Sequence, residues 1–188
     1  MRHCGTQTLE TERLLLRRFV PQDAEAMFQN WASDPEVTKY LTWPTHESIE
    51  ASKTVLENWA AAYAGETFYQ WAIVLKDSAC GPIGSISAVE LKEDVSCVQL
   101  GYCLGRRWWR RGIMTEALHA VMEFFFHEVG ANRIEARHDA RNVHSGMVMQ
   151  KCGMQYEGIM RSADRNNQGI CDVCWYARLK SDEALSRL

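Results

Sequence analysis

No apolar run in this 188-residue chain approaches the roughly 18 residues a membrane-spanning helix needs. A secretory leader pattern is also missing, and the seven cysteines, an odd number, are scattered at 4, 80, 97, 103, 152, 171 and 174. Together these features predict reduced thiols in a cytoplasmic protein with no membrane partner. Strong charge of either sign is absent, and a net charge of −3 argues against direct nucleic-acid binding. No Gly-Lys-Ser/Thr follows a glycine-rich turn, which excludes a P-loop, and the GxGxxG spacing of a dinucleotide fold is not found. Internal repeats, low-complexity segments and domain linkers are missing as well. What is present is a composition of 46% hydrophobic and 24% charged residues, enough for one ordinary globular core.

The chain divides into a tail over 1–8, expected to fray, a single α/β domain over 9–182 and a short tail over 183–188. Glu12–Val20 reads as a strand. Pro21-Gln-Asp-Ala-Glu opens a helix, with Pro and acids in the first turn. Ile49, Leu56, Trp59 and Tyr63 form a helical stripe capped by Thr45 or Ser48. Strands Phe68–Lys76, Pro82–Leu91 and Val95–Leu104 follow as an antiparallel meander, with Gly101 marking a bulge or a close backbone approach. A helix over Gly112–Val129 has a single narrow polar stripe of Glu116, His119, Glu123 and His127, so most of its circumference must be buried. Arg133–His138 is a strand, and Asn142 caps a short helix ending at Cys152-Gly153. Strand Gln155–Met160, loop Arg161–Gly169 and strand Ile170–Leu179 complete about seven strands, the exposed last one offering an edge for a homodimer.

The stretch from Gly101 to Glu116 passes from an apolar strand through Arg106, Arg107, Arg110 and Arg111 into the long helix. A strand that delivers its chain to a helix N-terminus presents unpaired N–H groups and the positive end of the helix dipole. With four arginines beside it, such a turn suits a phosphorylated ligand.

Further motifs follow in order: Leu100-Gly-Tyr102, Trp109-Arg-Arg-Gly112-Ile-Met-Thr-Glu-Ala117, Asn142-x-x-Ser145, Lys151-x-Gly153 and Glu157-Gly158. This ordered set, with Leu14–Asp23 ahead of it, resembles the GNAT superfamily of acetyl-CoA-dependent N-acetyltransferases, and within it the RimJ/RimL branch. The resemblance implies a GNAT fold, a mixed and mostly antiparallel V-shaped sheet flanked by helices. It implies acetyl-CoA as co-substrate and no metal. Backbone groups of Tyr102, Cys103 and Leu104 would meet the pantetheine arm. Trp109, Arg110, Arg111, Gly112, Ile113, Met114 and Thr115 would cradle the pyrophosphate. Asn142 would bond the pantetheine, and Ser145 would lie near the sulfur and serve catalysis. The chain departs from the superfamily pattern at Trp109 and at Met114, which is bulkier than the usual Gly or Ala.

Acetyl transfer to a primary amine needs that amine neutral as it attacks to form a tetrahedral intermediate. At a pKa of about 7.7–8.0 an α-amine is roughly 10–20% neutral near pH 7, whereas a lysine is under about 0.1%. A modest base therefore suffices for a protein N-terminus, the favoured acceptor. Asp164 and Glu90 are the two carboxylate candidates, and Trp43 is the candidate substrate contact. A polyamine, amino acid or aminoglycoside-like drug is the alternative acceptor, favoured if Glu47, Glu50 and Asp164 cluster at the mouth. A non-catalytic acyl-CoA-binding module is the third reading. Cys171 and Cys174, three apart on a strand, point to opposite faces, and His138, His144 and Asp139 lack ligand spacing, so neither group suggests a metal.

Overall fold

The computed structural model describes residues 1–182, so the expected tail over 183–188 lies outside the described residues. Eight strands form one sheet in the order β1-β2-β3-β4-β5-β6-β8-β7. They are β1 Leu9–Glu10, β2 Leu14–Arg17, β3 Gln70–Leu75, β4 Pro82–Lys92, β5 Cys97–Leu104, β6 Arg133–Asp139, β7 Gln155–Asn166 and β8 Gly169–Leu179. Only β5 and β6 pair in parallel; every other neighbouring pair is antiparallel. The mixed, mostly antiparallel sheet flanked by helices is the expected α/β architecture.

Helices α1 (Ala24–Met27, continued through Phe28–Ala32), α2 (Pro35–Thr38) and α3 (Ile49–Ala62) precede the meander. Ser48 accepts from the Ala51 N–H and so caps α3. Helix α4 (Ile113–Phe124, continued to Val129) follows β5, and α5 (Val143–Lys151) follows β6. The apolar circumference of α4 and its continuation buries Phe125, Phe126, Leu118 and Val121 completely, each worth about 1.5–3 kcal/mol of transfer free energy.

Two apolar clusters result. The larger lies between α4, α5 and one face of the sheet, taking Leu100 and Leu104 from β5 and Ile134 and Ala136 from β6. The smaller lies under α1 and α3, where Met27, Trp31, Leu56 and Phe19 meet Ala72 and Cys103. Strand alternation sends Cys103 to one cluster and its neighbour Leu104 to the other.

Four expectations are corrected. Residues 1–8 do not fray: the Arg2 N–H donates to the Val129 carbonyl, and Thr6, 2% exposed, bonds both Phe68 and Gln70 of the neighbouring segment. Leu9 and Glu10 add a short eighth strand that has too few residues to show a period. The segment 161–166 is strand rather than loop, because β7 resumes pairing with β8 after an irregularity between Met160 and Asp164. The last strand, β8, is interior; β7 forms the edge, so the proposed dimer edge on the final strand does not exist.

Candidate active site

Pairing between β5 and β6 stops at Leu100↔Ala136, while β4 accompanies β5 as far as Gly84↔Leu104. Residues 101–104 therefore have a strand neighbour on one side only, and the sheet splays into a V there. Gly101 fits the expected close approach: a bulge in β4 between Ala88 and Glu90 brings Val89 so near that a Cβ on Gly101 would stand 2.8 Å from it. The bulge itself belongs to β4.

Beyond the splay, the Trp109 indole donates to the Leu104 carbonyl at 2.7 Å, turning the chain toward α4. Arg110 and Gly112 both adopt left-handed φ, +61° and +74°, and Gly112 N-caps α4. Left-handed φ at Arg110 and Gly112 turns the chain sharply into α4, whose first N–H groups have no intrahelical partner. Arg13 ties this turn to β2 by bonding the Arg111 carbonyl and the Glu116 carboxylate. Ile113 and Met114 are buried in the larger cluster, so their side chains face away from any phosphate. The bulk of Met114 is therefore absorbed by the core. Arg106 pairs with Asp34 at 3.0 Å and Arg107 lies over the Trp108 ring.

Helix α5 closes the other arm of the V. Asn142 occupies its N-cap position, yet its side chain makes no capping bond. Ser145 Oγ donates to the Tyr102 hydroxyl at 3.0 Å, and that hydroxyl donates to the Ser145 carbonyl, also at 3.0 Å. Burial pushes the Tyr102 phenol well above its ordinary value, so it stays protonated. Gly146 is needed here, since a Cβ would stand 2.6 Å from His138 Nε2 and hold α5 off the sheet.

A cavity of about 440 Å³ connects this point with the smaller apolar cluster. It brings together Tyr102, Cys103, Asn142, Ser145, Asp164 and Trp43. Leu104 and the turn residues 109–115 lie outside its lining, Gly112 and Thr115 instead bordering a second recess beside α4. Glu90 also lies outside: it is exposed and within 3.7 Å of Lys92. Of the two carboxylate candidates, only Asp164 reaches the cavity, where Arg137 stands 3.1 Å away.

Several lining groups were not anticipated. Arg137 and Asp139 alternate along β6 with the core residues Ile134 and Ala136, a period-two pattern visible in the sequence. Asp139, 5% exposed, accepts from Arg141 and Asn166, and the Arg141 guanidinium holds its carboxyl far below the usual range. His46, hydrogen-bonded to Ser52, is held below its usual pKa by burial. Trp31 is fully buried, lines the cavity and has an indole N–H without a hydrogen-bond partner among the described residues. Such distant convergence has no local signal. Among the described residues no group of His, Cys, Asp and Glu is arranged to hold a metal ion.

The splayed parallel pair, the left-handed turn ahead of α4 and the Ser145–Tyr102 hydroxyl pair lie around the opening between β5 and β6. Residues 13–155 match the model of the Acetyltransferase (GNAT) domain, and the chain belongs to that family. It is an acetyl-CoA-using N-acetyltransferase. The uncharacterized N-acetyltransferase YoaA of Bacillus subtilis is 33% identical over 175 residues, covering 93% of this chain and 98% of the relative. The [ribosomal protein uS5]-alanine N-acetyltransferase of Escherichia coli is 25% identical over 158 residues, 80% of this chain and 79% of that enzyme. A GNAT-family acetyltransferase structure from Bacillus anthracis superposes with a TM-score of 0.81 at 23% identity, covering 93% and 99% of the two chains.

Proposed function

We propose that this enzyme acetylates the α-amine at a peptide or protein N-terminus, in the manner of the RimJ/RimL branch. The observation that carries the reading is the charge balance of the cavity. Its two carboxylates, Asp139 and Asp164, are each matched by an arginine, Arg141 and Arg137. Glu47 and Glu50 do not line it, so no acidic field gathers a polyamine or an aminoglycoside. The uS5-alanine enzyme among the relatives acts by its name on an alanine of a ribosomal protein, which supports a protein acceptor. A cytoplasmic setting accords with seven free cysteines.

Acetyl-CoA, when bound, supplies the acetyl group as a thioester. The residues of the splay fit it: backbone at 101–104 lacks a strand partner on one side, and the Asn142 amide is uncommitted. In this reading the turn around Arg110 to Thr115 takes the pyrophosphate through N–H groups, with Arg110 and Arg111 adding charge. Ser145 Oγ, whose proton rests on the Tyr102 oxygen, turns that proton toward a departing thiolate. Asp164 receives the proton that the substrate ammonium loses before its neutral amine attacks, directly or through water; its ion pair with Arg137 fixes its orientation. Glu90 has no part in the reading. The test is thiol release from acetyl-CoA on matched panels of peptide N-termini, polyamines and aminoglycosides. Preferred turnover of the polycations would overturn it.

A further inference from the structure

The acceptor half of the cavity is hollowed out of the smaller apolar cluster rather than out of a polar surface. Met27, Trp31, Leu41, Trp43, Val55 and Trp59 belong both to that cluster and to the cavity wall. Trp43 and Trp59 are half-buried and present ring surface that the protein itself does not cover. The ionised groups lie on the opposite, β6–β7 side and compensate each other pairwise. His46, its ring tilted against Trp43 with centroids 5.4 Å apart, has its pKa lowered by burial, which disfavours a charge on this wall. An apolar wall of this size, continuous with the Ser145 throat, favours a ligand that removes its aromatic surface from water.

We infer that the N-terminal residue accepted by this enzyme carries a bulky apolar side chain, aromatic or branched aliphatic, seated against Trp43 and Trp59. The inference rests on the N-terminal-amine reading given above and narrows it. A small first residue leaves the wall wet, and a lysine places a charge against rings whose neighbouring carboxylates are already neutralised.

The test uses the full chain with acetyl-CoA and tripeptide amides identical except for Gly, Ala, Leu, Phe or Lys at the first position, beside phenethylamine and spermidine. We expect kcat/KM for Leu and Phe to exceed Gly by about tenfold to a hundredfold, carried mainly by KM, with Lys no better than Gly. Trp43→Ala and Trp59→Ala should each shrink the Phe-to-Gly ratio severalfold while the KM for acetyl-CoA stays put. Equal turnover of Gly, Ala and Phe peptides overturns the inference yet leaves the N-terminal reading standing. Turnover of phenethylamine with none of the peptides overturns the N-terminal reading and keeps the apolar wall. Preference for Lys or spermidine overturns both. Because the wild-type panel alone discriminates these outcomes, a variant that fails to fold does not blur them.

Discussion

Removing one oxygen atom tests the throat of the site. In Tyr102→Phe the ring stays packed against the larger cluster, but two hydrogen bonds vanish: Ser145 Oγ loses its acceptor and the Ser145 carbonyl loses a donor. Each bond contributes about 0.5–1.5 kcal/mol net, so the pair is worth about 1–3 kcal/mol. For a domain of this length a loss of 1 kcal/mol lowers Tm by about 2–4 °C, which puts the expected fall at about 2–12 °C in a calorimetric scan. The kinetic effect should fall on kcat, because Ser145 is then free to leave the rotamer that faces the throat. A loss of about tenfold in kcat with little change in the KM for acetyl-CoA is expected from thiol-release assays. Ser145→Ala provides the contrast. It deletes the proposed donor but keeps the Tyr102 bond to the carbonyl, so it should cost less stability and at least as much kcat. If Tyr102→Phe leaves both Tm and kcat at the wild-type level, the hydroxyl pair has no role and the reasoning fails.

Asp164→Asn should lower kcat/KM about a hundredfold or more through loss of the proton acceptor, measured by thiol release. Glu90→Gln, altering an exposed group outside the cavity, should stay within about twofold in the same assay. Asp139 has its folded pKa depressed by Arg141, so the stability it contributes is present above its unfolded value of about 3.9 and is lost as pH falls through the folded value. Acid titration followed by circular dichroism should therefore show a shallower stability loss below pH 4 in Asp139→Asn than in the wild type. Gly105→Ala would drive a methyl group against the Asn30 carbonyl and to within 2.7 Å of the Trp108 ring. Overpacking of this kind costs about 1–3 kcal/mol, so denaturant melts should shift to lower midpoints, with the KM for acetyl-CoA raised as the turn after β5 is displaced.

Much of this protein is local information. The polar stripe of α4 marks a nearly buried helix; the meander follows from alternation and turn residues; and the ordered set from Leu100 to Gly158 points to the family from sequence alone. These signals survive in one dimension because a helix period, a turn or a cofactor-contacting loop is made by neighbours in the chain. The parts that were misjudged depend on distant partners. The first eight residues are ordered by Val129, Phe68 and Gln70, and β7 extends to Asn166 only because β8 folds back beside it.

The catalytic side followed the same division. Asn142 and Ser145 are three residues apart and readable as a pair, but the oxygen that holds Ser145 comes from Tyr102, 43 residues earlier. Asp164 and Glu90 were equal in the sequence, both carboxylates on strands or loops near the site. The sheet order separates them, carrying Asp164 into the cavity beside Arg137 and leaving Glu90 outside with Lys92. Local pattern thus suffices for the family and for the turn proposed to cradle the pyrophosphate, which is made of contiguous residues. The acceptor pocket, by contrast, is a volume enclosed by α1, α3, β5, β6 and β7, and its charge and shape exist only once those elements close around it.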